Sequence, residues 1–402
     1  MKVLLINTVS GYGSTGRLTV DIARALQERG DKAFIAYGQG YTDFDHAFKV
    51  GGRLENHLHN IGSRFLGKQG YFSKSGTLDL VNYIETVEPD VIHLGNLHGN
   101  YLNLRILFEY LSSNNVPVVW SLHDCWPFTG KCVYYTETGC YKWQTHCDQC
   151  PQVKKYPPSL FLDQSKRMYD DKRKWFTSVK KMSIVPVSNW LAGEVRKSFL
   201  NVYPIYPVYN WIDQNVFFPR GVSVRSKYGI PENKFVVLGV SAGWTKRNNR
   251  LEDFLRLSDM VSDEMQMVMV GKKDPSARIP SKIIHISYVE DTKDLALLYS
   301  MADVYVHLSV EDTFGMVIAE ALACGTPAIV YDATACPEVV GAQCGCIVRK
   351  RDISAVHEAL CKLKRTGKDE YSERCVNRVG RKFNFIENTN KIISLYERAL
   401  TV

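Results

Sequence analysis

Residues 303–332 read "DVYVHLSVEDTFGMVIAEALACGTPAIVYD". Each end, "DVYVHLS" and "TPAIVYD", is a short apolar run that suits a strand buried on both faces. Between them the loop "VEDT" leads into a helix that begins near Phe314. Strand, helix and strand in so short a span make one parallel crossover unit. Asp312 and Thr313 suit a helix N-terminus, where acids and hydroxyls satisfy free N–H groups. That reason does not extend to Glu320, which stands among Val317, Ile318, Ala319, Ala321 and Leu322. A carboxylate buried there needs a partner.

The same alternation runs through the rest of the chain. Strand-like "KVLLIN", "KAFIAYG", "DVIHLG", "PVVWSLHD" and "MSIVPVS" are separated by helical stretches such as "GRLTVDIARALQERG" and "NLRILFEYLSSNN". After a turn-rich linker, "YPIYPVYNWIDQNVFFPRG", the pattern restarts at "KFVVLGVSAG" and continues through "RLEDFLRLSDMV", "MQMVMVGKK", "KIIHIS" and "GCIVR". A chain of 402 residues is long for one core. The pattern predicts an α/β protein of two doubly wound, Rossmann-like domains facing a central cleft. They span 1–207 and 208–380, and a final helix over 381–402 packs back on the first. Such sheets bind ligands at the carboxyl ends of their strands, which makes the cleft the expected site.

With 45% apolar and 23% charged residues the composition is that of an ordinary globular protein. No apolar run reaches the roughly 20 residues of a membrane helix. The opening "MKVLLINTVSG" reads as a first strand, not a secretion signal, so a cytoplasmic location with reduced cysteines is expected. The net charge of +8 is concentrated in Lys154–Lys181, which holds nine Lys/Arg against three Asp. Tyr156, Phe161, Tyr169, Trp175 and Phe176 are interleaved there. The segment is either a solvated helix face or a site of attraction to an anionic surface. That surface would be the inner leaflet of the plasma membrane or a polyanionic acceptor. No nucleic-acid-binding motif accompanies it, so nucleic acid is not an expected partner.

Two segments could hold a phosphorylated ligand. "SGYGSTGR" places Gly11, Gly13 and Gly16 before Arg17 and a helix, either as a phosphate loop or as a plain tight turn. In the opening stretch a diphosphate would sit at the helix N-terminus. Glu320, about 12 Å further along if all eight residues are helical, would meet ribose hydroxyls, and Asp312 would meet the sugar. A nucleotide sugar spans both. Separately, Cys132, Cys140, Cys147 and Cys150, ending in "CDQCP", offer four thiols with one C-x2-C pair. They fit a structural tetrahedral zinc better than two disulfides in a reducing compartment, with Cys125 close enough to substitute. Asp43-Phe44-Asp45 is a D-x-D triplet with no supporting pattern.

Two acids eight residues apart followed by "EALACGTP" resemble the retaining family-4 glycosyltransferases of the GT-B fold. In the first half "HGNYLNLRILFEYL", "PVVWSLHDCWPFTGKC", "GCYKW", "CDQCP" and "SLFLDQSKR" resemble the branch acting in colanic acid and related bacterial polysaccharide synthesis. The resemblance covers nearly the whole chain. It implies a nucleotide-diphosphate-sugar donor on the second domain, a glycan or lipid-linked acceptor on the first, retention of configuration and no catalytic metal. It also implies that Glu320 holds the ribose, that Asp312, with Glu311 sharing the role, contacts the sugar, and that His123 lies near it. Thr313, Phe314 and Gly315 complete the donor loop.

The chain departs from the family at three places. The first loop of the second domain, "SAGWTKRNNRLEDF", lacks the usual Arg and Lys-Gly, and Lys246, Arg247 and Arg250 are the expected substitutes, with Arg247 in the catalytic role. Thr334-Ala335 replaces Gly-Gly, and Asn210-Trp211-Ile212-Asp213 replaces Asn-Gly-Ile-Asp. These departures motivate a rival expectation, a non-catalytic nucleotide-sugar-binding partner of a polysaccharide assembly complex. A nucleotide-sugar epimerase is a third.

Overall fold

The computed structural model describes residues 1–245 and 249–401. It contains two compact units, Met1–Tyr209 with Asn388–Val402, and Asn210–Glu387.

In the first unit six parallel strands, β1 (Lys2–Val9), β2 (Lys32–Gln39), β3 (Ala47–Lys49), β4 (Val91–Leu94), β5 (Val118–Leu122) and β6 (Met182–Pro186), lie in the order β3-β2-β1-β4-β5-β6. Val3, Leu4, Ile6, Val91, Ile92 and Leu94 are fully buried, as strands covered on both faces require. The second unit repeats the plan with β7 (Phe235–Trp244), β8 (Met265–Lys273), β9 (Ile283–Ile286), β10 (Val304–His307), β11 (Ala328–Tyr331) and β12 (Gly345–Val348), ordered β12-β11-β10-β7-β8-β9. Its core joins Val237, Met269, Val306 and Ile329 of the sheet to Phe254, Leu257, Val356 and Leu360 of two helices. Both units are thus doubly wound Rossmann-like domains, the pair of domains that defines the GT-B fold. In each sheet the strand order reverses between the first and fourth strands of the unit, the point at which such sheets open a crevice for a ligand.

Short β3 carries little sequence signal and escapes the pattern reading. The last helix, Phe385–Thr401, starts in the second unit and lies mostly in the first. There the Tyr396 hydroxyl lies 2.6 Å from His93 Nδ1, and Arg398 stacks 5.0 Å over Tyr206. Trp211, in the place of the family's glycine, is 3% exposed and packs edge-on to Phe385 at 6.0 Å. It does not adopt positive φ. The position therefore needs no glycine, and the indole adds buried apolar surface instead.

Candidate functional site

At the switch point of the second sheet, the loops after β7 and β10 bring together residues far apart in sequence. Arg250 opens the helix Arg250–Met260, and its Nη1 donates to Ser241 Oγ at 2.9 Å. Its Nη2 lies 3.5 Å from Asp312 Oδ2. The same Asp312 oxygen lies 2.9 Å from His307 Nε2, and His307 Nδ1 lies 2.9 Å from the Tyr305 hydroxyl. These contacts fit a neutral imidazole accepting from Tyr305 and donating to Asp312. Burial alone would raise the Asp312 carboxyl. The charge and hydrogen bond of His307, together with Arg250, hold it at about 2. Arg250 Nε is buried and makes no hydrogen bond among the described residues. His307, Asp312 and Cys336 hold ligand atoms within 4.8 Å of one another, but the adjoining guanidinium disfavours a cation there. Lys246 and Arg247 lie outside the described residues.

The helix carrying Glu320 begins at Met316, two residues later than the sequence reading. Gly315 is its cap residue, at φ 88° and with no side-chain bond, so neither Asp312 nor Thr313 caps it. The loop is anchored by packing: Thr313 is buried, and Phe314, 2% exposed, sits edge-on to Phe383 at 5.1 Å. The Phe314 ring is therefore core, which leaves only its backbone to meet a ligand. Glu320 follows Met316 by about one turn, roughly 6 Å, half the rise of an all-helical span from Asp312. The partner its burial demands is Tyr299, whose hydroxyl donates to Oε2 at 3.1 Å. Glu311 is partly exposed beside this loop, its N–H donating to Ser309 Oγ at 3.3 Å.

Thr334, where the family has glycine, takes φ 52°, a conformation rare for a β-branched residue. Its hydroxyl donates to Ala333 O at 2.8 Å and accepts from Asp312 N at 3.3 Å. The glycine-type backbone is kept, and local hydrogen bonds offset its strain.

In the first unit Gly11 and Gly13 have φ of 77° and 64°, and the helix Gly13–Glu28 starts behind Tyr12 without a side-chain cap. Gly16 is buried, because a Cβ there would lie 3.1 Å from Val9 Cγ2, while Arg17 is exposed. Asp43 and Asp45 are exposed on the loop between β2 and β3. His123 directly follows β5, and burial pulls its pKa down to about 4 against the opposing charge of Asp124. The sequence reading misses its neighbours. His98 Nε2 lies 2.7 Å from Asp124 Oδ2, and His98 Nδ1 lies 3.2 Å from the Tyr156 hydroxyl. Asp124 Oδ1 accepts from Trp126 N at 2.8 Å. Burial opposes ionisation of Asp124, yet His98 and this hydrogen bond keep its pKa below the ordinary value. Both residues stand inside stretches singled out above, "HGNY" and "HDCW", directly after strands, and that position is the available signal.

Within Lys154–Lys181 the helix Ser165–Phe176 buries Met168, Tyr169, Lys172, Trp175 and Phe176 and exposes Lys166, Arg167, Arg173 and Lys174. Three of the interleaved aromatics are therefore core. Exposed apolar surface lies ahead of that helix, at Leu160, Phe161 and Leu162, and on the helix Arg53–Leu66, which Leu54, Leu58, Ile61, Phe65 and Leu66 stripe; Phe65 meets Phe161 at 5.6 Å. Among the described residues no helix is long and apolar enough to cross a membrane. Cys132, Cys140, Cys147 and Cys150 lie within electrostatic reach of one another, and burial with mutual repulsion pushes the Cys132 and Cys147 thiols up to about 12. Cys125 lies buried beside Tyr135.

Residues 234–365 match the family model "Glycosyl transferases group 1", and residues 15–216, half of the chain, match "Glycosyltransferase Family 4". Over 377 residues the chain is 23% identical to the Escherichia coli K12 protein that bears the name colanic acid biosynthesis glycosyl transferase WcaC, covering 88% of each. It is 27% identical over 225 residues to the N-acetyl-alpha-D-glucosaminyl L-malate synthase of Bacillus anthracis, covering 53% of this chain and 58% of that one. Among solved structures, the sucrose-phosphate synthase of Thermosynechococcus elongatus superposes with a TM-score of 0.74 at 14% identity, over 100% of this chain and 99% of that one. Anabaena HepE in complex with UDP gives 0.67 at 14% identity, over 99% and 100%. These structures share the fold; the family follows from the sequence models. The chain belongs to glycosyltransferase family 4.

Proposed function

We propose that the chain is a retaining hexosyltransferase of bacterial exopolysaccharide, capsule or O-antigen synthesis, in the colanic-acid-related branch. It takes the sugar of a nucleotide-diphosphate donor and gives it to a glycan or lipid-linked acceptor. The observation that carries this reading is the cluster of Arg250, Asp312 and Glu320 at the switch point of the second sheet. Asp312 fixes the guanidinium of Arg250, which supplies positive charge for the leaving diphosphate. Glu320, oriented by Tyr299, takes the ribose hydroxyls, and Glu311 takes the sugar, since Asp312 is already engaged by two side chains. His123, neutral at physiological pH, serves the sugar as a hydrogen-bonding group rather than a cation. The His98–Asp124 pair receives the acceptor hydroxyl.

Replacing Glu320 by Gln tests this. Transfer should fall by roughly 100-fold or more while the far-UV spectrum stays unchanged, and full activity overturns the reading. The altered basic loop favours a second reading, a subunit that binds nucleotide sugar without turnover. Sugar transfer by the isolated chain, with product anomeric configuration read by NMR, decides between them.

We further propose that the enzyme works at the inner face of the plasma membrane, with the Leu54–Leu66 stripe and Phe161 seated in an anionic leaflet. Exposed Arg53, Arg64, Lys166 and Arg167 supply the complementary charge. Vesicles containing anionic lipid should sediment the protein, and a Leu58→Ser/Phe161→Ser variant should stay in solution. Equal binding by the variant removes this assignment.

A further inference from the structure

The irregular segment between β5 and the helix Ser165–Phe176 contains just two short 3-10 turns, Trp126–Phe128 and Lys142–Gln144, among the described residues. So long a stretch without regular elements needs some other fastening. It holds five of the chain's 11 cysteines, and four of them, Cys132, Cys140, Cys147 and Cys150, each lie within electrostatic reach of the other three. Two of them already accept backbone N–H bonds, Gly130 N to Cys147 Sγ at 3.2 Å and Gln152 N to Cys150 Sγ at 3.4 Å. Such bonds favour a sulfur that carries negative charge.

The decisive neighbours are two lysines. Lys172 is 1% exposed, and its ammonium donates to Trp126 O at 2.8 Å and Thr129 O at 3.2 Å and lies 3.5 Å over the Trp126 ring. Lys131 is 4% exposed and donates to Val153 O. No carboxylate forms an ion pair with either among the described residues. Their charged neighbours are Cys132, Cys147 and Asp124 for Lys172, and Cys150, Cys132 and Asp163 for Lys131, and burial lowers the pKa of both ammonium groups. Beside four neutral thiols each ammonium would have one carboxylate within electrostatic reach and, among the described residues, no ion pair to it. Beside a tetrathiolate they are matched, because Zn²⁺ displacing four thiol protons leaves a cluster of net charge −2.

We propose that Cys132, Cys140, Cys147 and Cys150 bind one structural zinc ion, with Lys131 and Lys172 as its buried counter-charges. The segment so pinned runs from Asp124 to Tyr156, the two residues that grip His98 from either side. The zinc therefore sets the shape of the acceptor side, a consequence that rests on the function proposed above, whereas the metal site itself does not.

Full-length protein, purified without chelator, should contain about one zinc per chain by elemental analysis. Growth on cobalt should give the strong thiolate-to-cobalt absorption of a tetrahedral site. Cys147→Ser should abolish the metal, and Cys375→Ser, in the other unit, should leave it in place. Lys172→Met should retain zinc but lose it to chelator at least tenfold faster. Should Cys147→Ser fail to fold, the wild-type chain decides the matter alone, through zinc released to a colorimetric chelator as the thiols are modified. Metal-free protein with unchanged melting temperature in chelator, or a mass four hydrogens short that reveals two disulfides, overturns the proposal. Catalytic failure with zinc present would count against the transfer reading and leave the metal site standing.

Discussion

The ion pair between Arg250 and Asp312 can be broken from either side. Asp312→Asn keeps the shape and removes the charge, leaving a guanidinium 18% exposed with Ser241 as its remaining side-chain partner among the described residues. At 3.5 Å and an effective dielectric of about 20 the gross attraction is about 4–5 kcal/mol. Both side chains retain roughly a fifth of their surface in water, which cuts the net effect to about 2 kcal/mol. Arg250→Met should cost a similar amount. The double variant should cost little more than either single one, so a cycle measured by urea unfolding at pH 7 should return a coupling of about 2 kcal/mol. The Asp312 carboxyl, held at about 2 against 3.8 unfolded, ties the effect to pH. The contribution is complete above about 4 and disappears as the pH falls through 2, so at pH 7 it is fully present. Additivity of the two single variants to within about 0.5 kcal/mol would refute the network, and the engaged state of Asp312 with it.

Other measurements follow from the same physics. Burial holds His59 and His93 at about 3 and His123 at about 4. The unfolded chain therefore binds protons that the native one refuses between those values and about 6.5. Stability should be complete above 6.5 and fall on acidification, by about 3 kcal/mol in all at pH 5.5 once the partial exposure of His123 is discounted. Urea unfolding at pH 7.5 and 5.5 checks this, with a shallower slope for His93→Gln, and a flat profile contradicts it. At Thr334, substitution by Gly relieves backbone strain but removes two hydrogen bonds, so stability should change by less than about 1 kcal/mol. Thr334→Val keeps the strain and loses the bonds, and should cost about 1–2 kcal/mol. A neutral Val variant would show that the hydroxyl does not support the turn.

What the sequence discloses, and what it withholds, follows from the range of the interactions. Strands such as Val304–His307 and Val118–Leu122 are local apolar runs, and eleven of the twelve among the described residues can be read without a structure. Glu320 stands out because a carboxylate in an apolar helix is a local contradiction, but its partner Tyr299 lies 21 residues away and has no local mark. Asp312 reads as a sugar ligand from its spacing. Its hold on Arg250 spans 62 residues and depends on strand order, which no periodicity records. The pair of His98 and Asp124 is hidden for the same reason, since β4 and β5 become neighbours only in the sheet. The basic segment leaves its two readings open in sequence because interleaved aromatics and lysines look alike on a solvated face and on a core-facing one. Burial of Trp175, Phe176 and Lys172 separates the two.

The last helix gives the chain a particular order of manufacture. The second unit is an insertion, entered at Asn210 and left at Glu387, and residues 388–402 complete the first. Synthesis from the N-terminus therefore makes more than half of the first unit long before its final piece exists. Tyr396, which closes over His93, is made 303 residues later, at 5–20 residues per second a delay of roughly 15–60 s. Throughout that time the emerging chain exposes the groove that the last helix will fill, and it becomes whole only once that helix has left the ribosome. Truncation ahead of Tyr396 would thus damage the part of the molecule that was made first.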